Sequence, residues 1–138
     1  MSTLKIKVEE HPNKAVLSIH ISKRISKKDY VTYYNQLRAE ENEYDNGRTE
    51  ELGYLAQALF AVDGVRELHF SQYEITIQKA EIFEWEEMIP DLIHVVKNML
   101  RKEGDDFERM PDIKVTEEER ERIKREWERA SRNFDFDY

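Results

Sequence analysis

The chain has 138 residues, with 39% hydrophobic and 38% charged side chains and a formal net charge of −8. That is enough apolar material for one core plus an appendage, while the acidic balance disfavours nucleic acid and anionic membranes as partners. The absence of cysteine excludes disulfides, thiolate zinc sites, cysteine nucleophiles and cysteine-ligated iron–sulfur clusters.

Leu4, Ile6 and Val8 alternate with Lys5, Lys7 and Glu9, which predicts a strand with one wet face. His11-Pro12-Asn13 is a turn signal, and Leu17, Ile19 and Ile21 alternating with Ser18 and His20 complete a hairpin. Lys23, Arg24, Lys27 and Lys28 form the one clear cationic run and suit a solvated loop or helix start. Between Ser26 and Tyr44 the spacing of Tyr30, Val31, Tyr33, Tyr34 and Leu37 predicts a helix, with Ser26 and Asp29 as a capping box. The β-branched and aromatic cluster from Val31 to Tyr34 also suits a strand. Asp45-Asn46-Gly47 ends the segment.

Leu52, Leu55, Ala56, Leu59, Phe60 and Val62 predict an amphipathic helix closed by Asp63-Gly64. Val65 to Phe70 and Glu74 to Lys79 predict a second hairpin around Ser71-Gln72-Tyr73. A further helix carries Met88, Ile89, Leu92, Ile93, Val96, Met99 and Leu100; its regular part is expected to start near Pro90 and Gly104 to close it. Asp105 to Val115 reads as a connector, and Thr116 with Glu119 caps a charged helix over 116–131. Its narrow seam is Ile123, Trp127 and Ala130, which suits docking on the same chain or a homodimer. The expected organisation is a body over 1–104 and an appendage over 105–138. The expected fold class is α+β: an antiparallel sheet of about four strands with helices packed on one face, plus the charged C-terminal helix.

Glu87, Asp91 and His94 fall at i, i+4 and i+7, the one set suited to a divalent metal, although an acidic helix produces such sets on a solvated face. His20 and His69 fall on the polar faces of their strands. No nucleophile–base pair and no glycine-rich phosphate loop stands out, so no catalytic residue and no cofactor are assigned. Tyr30, Tyr33 and Tyr34, bunched in one region, suit either an interface or a cap on the core, and Trp127 suits a partner contact. The N-terminal residues lack the apolar stretch of a secretory signal and no segment reaches bilayer-spanning length, so a cytoplasmic location is expected.

Pro12-Asn13 before a strand, then "LGYLAQALFAVDGV", then a hairpin and "WEEMIPDLI" resemble the N-terminal domain of the Nfu/NifU iron–sulfur scaffold family. The positions that carry the resemblance are Pro12, Asn13, Leu55, Ala56, Leu59, Phe60, Val62, Gly64, Val65, Trp85, Glu86, Met88, Pro90 and Ile93, with Ile75, Thr76 and Ile77 in the hairpin. Tyr54 stands where the family has proline and Ser71 where it has a hairpin glycine. No Cys-x-x-Cys motif, which bears the cluster on a separate C-terminal module in full Nfu proteins, occurs in these 138 residues. The resemblance implies a non-catalytic protein-binding or adaptor domain, accessory to cluster assembly or delivery, whose partner is an assembly protein or a client. The alternative is a carboxylate/histidine protein that binds iron or another divalent metal; a small enzyme is disfavoured.

Overall fold

The alternating runs pair as strands. In a computed structural model that describes residues 3–28, 31–33, 50–122, 125, 126 and 129, β1 (Thr3–Glu10) and β2 (Val16–Ile21) form the first hairpin. Asn13 shapes its turn: Oδ1 accepts from the Ala15 N–H at 2.9 Å, the self-bonding that favours asparagine in turns. A short strand β3 (Val31–Tyr33) follows, then helix α1 (Glu50–Phe60), then β4 (Val65–Phe70) and β5 (Glu74–Lys79) as the second hairpin. Helix α2 (Trp85–Leu100) and strand β6 (Asp106–Arg109) come next. Residues 117–122 open a further helix, and Thr116 Oγ1 caps it by accepting from the Glu119 N–H at 3.1 Å.

The sheet has six strands in the order β3-β4-β5-β2-β1-β6. Its inward side chains, among them Leu4, Ile6, Leu17, Ile19, Ile75, Ile77, Leu68 and Phe70, share one buried cluster with Leu52, Leu55, Ala56 and Leu59 of α1 and Met88, Leu92 and Val96 of α2. Both helices therefore cover one face, as the amphipathic stripes require.

Several expectations need correction. Val31–Tyr33 is a strand, not a helix: Val31 and Tyr33 point inward, pair with Phe70 and Leu68 of β4, and the Tyr33 ring meets Phe70 edge-on at 5.7 Å. Ser26 does not cap a helix; its hydroxyl donates to the Lys28 carbonyl at 2.7 Å in a local turn. The sheet holds six strands instead of about four and is mixed, because β6 runs parallel to β1. That strand comes from what the sequence presents as a connector. It docks through backbone groups, with Met110 N–H on Ile6 O at 2.7 Å and Ile113 N–H on Val8 O at 2.8 Å. Lys97 lies 5.2 Å from the Phe107 ring centroid, tying α2 to it.

Helix α2 also starts five residues before Pro90, at Trp85. Proline there withholds one N–H from the Glu86 carbonyl, but both residues are exposed, where a missing helix bond costs little. Gly64 makes the turn from α1 into β4 at φ +96, and a Cβ on it would stand 2.7 Å from Phe83 Cγ. Left-handed backbone and close packing both select glycine here. Gly104 sits beyond the end of α2, at φ +88 in the turn into β6.

Candidate functional site

The strand period of two that buries one face sends the polar side chains to the other. Glu9 on β1, Ser18 on β2, Thr76 on β5, His69 on β4 and Thr32 on β3 are register partners in sequence, forming one row across five strands. His20 pairs with Glu74 in the neighbouring row.

Hydrogen bonds knit this outer face together. Ser18 Oγ donates to Glu74 Oε2 at 2.7 Å, lies 2.7 Å from His11 Nε2 and 3.2 Å from Thr76 Oγ1. Thr76 Oγ1 also donates to Glu74 Oε2, at 3.3 Å. His20 Nε2 donates to Glu9 Oε1 at 2.6 Å, and His69 Nε2 to Glu67 Oε2 at 3.0 Å, while its Nδ1 lies 2.9 Å from Thr32 Oγ1. The histidines and glutamates are partly exposed; Ser18 beneath them is fully buried, at 0%. A serine at hydrogen-bond distance from a histidine is the geometry of an activated nucleophile. Here the hydroxyl is sealed from substrate and already engaged with Glu74, so it serves as the floor of the network.

A groove of about 550 Å³ lies at the end of the sheet, between the β1–β2 turn, Lys79, Trp85 and Arg120. The Trp85 Nε1–H donates to the Lys14 carbonyl at 2.8 Å, pinning the start of α2 to the hairpin tip. The Lys79 ammonium lies 5.8 Å from the Trp85 ring centroid, its residue only 8% exposed. Arg120 reaches Glu10 at 3.8 Å, and its buried Nε has no hydrogen-bond partner among the described residues. Glu81, Glu84 and Glu86 line the same groove, so its charge is mixed.

The motif residues take structural places. Leu55, Ala56, Leu59 and Phe60 are core, Gly64 makes the turn into β4 and Val65 opens that strand, Pro12 and Asn13 form the hairpin tip, Trp85 pins α2, and Pro90 lies exposed on it. Glu87, Asp91 and His94 are exposed on α2, and the structure does not gather them as ligands: His94 Nε2 accepts from Asn98 Nδ2 at 2.9 Å. Among the described residues, the acidic and histidine side chains brought together at ligand spacing are instead Glu9, His11 and Glu74. The sequence signal for them was the polar parity of β1 and β5, but their meeting needs the β1–β2–β5 order. Tyr33 is core, at 2% exposed. Tyr30, Tyr34 and Trp127 lie outside the described residues. Among the described residues no helix is long and apolar enough to cross a membrane.

Among solved structures, the NifU-like protein of Saccharomyces cerevisiae is similar over 74% of this chain and 82% of its own, at 21% identity and a TM-score of 0.55. The Staphylococcus aureus protein SAV1430 is similar over 66% of this chain and 96% of its own, at 21% identity and a TM-score of 0.50. At such identity these likenesses speak for the fold. No curated protein matches the sequence. The family model described as the N terminal of scaffold protein Nfu/NifU matches residues 6–103. That span takes in the first hairpin from Ile6 onward, the second hairpin, α1 and α2, and so the chain belongs to the Nfu/NifU N-terminal family.

Proposed function

We propose that this domain is a non-catalytic, protein-binding accessory of iron–sulfur cluster assembly or delivery, recognising an assembly protein or a client. The observation that supports it most is membership of a scaffold family by a chain without a thiol. Sulfur ligation is closed to it, and oxygen and nitrogen donors do not replace a full cysteine set around a cluster. Its contribution is then recognition. The buried state of Ser18, whose hydroxyl is seated beside His11, supports the non-catalytic half of the proposal. Tyr30, Tyr34 and Trp127 are proposed as partner contacts, since amphipathic aromatics concentrate binding energy at interfaces.

The test is titration of the full chain against a purified Cys-x-x-Cys cluster module, empty and loaded, by calorimetry. A one-to-one complex that Trp127→Ala weakens is expected. Absence of a complex with either form, together with an unchanged rate of cluster transfer to an apo-client, overturns the proposal.

A further inference from the structure

Three of the four histidines, His11, His20 and His69, stand on the face of the sheet opposite the helices. Glu9 on β1 and Glu74 on β5 flank β2, on strands about 9.6 Å apart, and Glu74 stands two residues along β5 from Thr76, which shares the row of Glu9. Yet one carboxylate oxygen of each, with one ring nitrogen of His11, lie within 4.8 Å of one another. The two acids lean together over Ser18 instead of apart. Among the described residues no lysine or arginine pairs with either: His20 meets Glu9, and the hydroxyls of Ser18 and Thr76 meet Glu74. Below them the Ser18 hydroxyl has one proton to share among its neighbours. Two carboxylates converge on a half-exposed spot furnished with an imidazole, and among the described residues no lysine or arginine sits between them.

We propose that Glu9, His11 and Glu74 bind a divalent transition-metal ion on the outer face of the sheet, with His20 positioning Glu9. Two carboxylates neutralise the ion's charge. The imidazole selects zinc, iron(II) or cobalt over magnesium and calcium, which take oxygen sets. Ligands of a tetrahedral zinc stand about 3.4 Å apart, so binding draws the three atoms inward by side-chain rotation. All three residues are partly exposed, so the ion enters without opening the core. Three protein ligands leave a fourth position to water. The site stands independently of any protein partner.

Calorimetric titration of the full chain with Zn²⁺ alone, and with Fe²⁺ under anaerobic conditions, tests it. One ion per chain is expected. Glu74→Gln and His11→Asn should each weaken zinc by at least about 100-fold, and His20→Ala by about 10-fold, with His20→Gln recovering most of that because it keeps a donor for Glu9. Asp91→Asn and His94→Ala should leave affinity unchanged. Wild-type NMR with Co²⁺ gives a readout that needs no variant: amide signals near residues 9–11, 18–20 and 74–76 should broaden first. Failure of the wild type to bind zinc, unchanged affinity in folded Glu74→Gln and His11→Asn, or broadening centred on residues 87–94 overturns the proposal.

Discussion

The two faces of the sheet solve opposite problems with the same backbone. The inner face presents Val8, Ile19, Ile77 and Leu68, all nearly free of solvent, to two helices. The outer face presents Glu9, Ser18, Thr76 and His69, one register step away on the same four strands. Dispersion and water exclusion hold the first face, where any missing volume is felt. Directional bonds between partly wet groups hold the second, where water can replace a lost partner at little cost. Stability should therefore reside on the inner face and chemical selectivity on the outer one.

Substitutions sharpen or break that division, beginning with the largest effect. Leu59→Ala on α1, at 0% exposure, should lose about 2–5 kcal/mol in a denaturant melt through the cavity it leaves. Gly64→Ala, at the turn that delivers β4, should lose about 1–3 kcal/mol, since it combines left-handed backbone with the approach of Phe83. Ser18→Ala should lose about 1 kcal/mol, because Glu74 and His11 keep access to water when the buried hydroxyl goes. Glu74→Gln should shift apo stability by less than about 0.5 kcal/mol in either direction, although it is expected to abolish tight zinc binding. A loss of several kcal/mol in Glu74→Gln would break the division, because the outer network would then be structural.

How much of this was legible from residues alone follows the same line. β1, β2, β4, β5 and α1 announce themselves because each buries a stripe of regular period: Leu17, Ile19 and Ile21, or Leu52, Leu55, Ala56 and Leu59. β3 and β6 do not. β3 has three residues within an aromatic run that fits two periods, and β6 offers Phe107 as its one inward apolar side chain, its place being fixed by backbone bonds to β1. Pro90 misled the start of α2, since an exposed early turn tolerates a missing donor. The outer-face cluster escaped for a different reason. Helical spacing made Glu87, Asp91 and His94 conspicuous along the chain, whereas Glu9 and Glu74 become neighbours only through strand order.

β6 lies beyond residue 103, where the match to the family ends, yet it saturates the outer flank of β1 from Thr3 to Ile6. A protein cut after Gly104 would keep its core but present a bare ladder of amide and carbonyl groups along that flank, a template for another copy's strand. Such a fragment should self-associate as its concentration rises, visible as growing mass in light scattering. The short parallel strand is in that sense a guard against strand-to-strand aggregation.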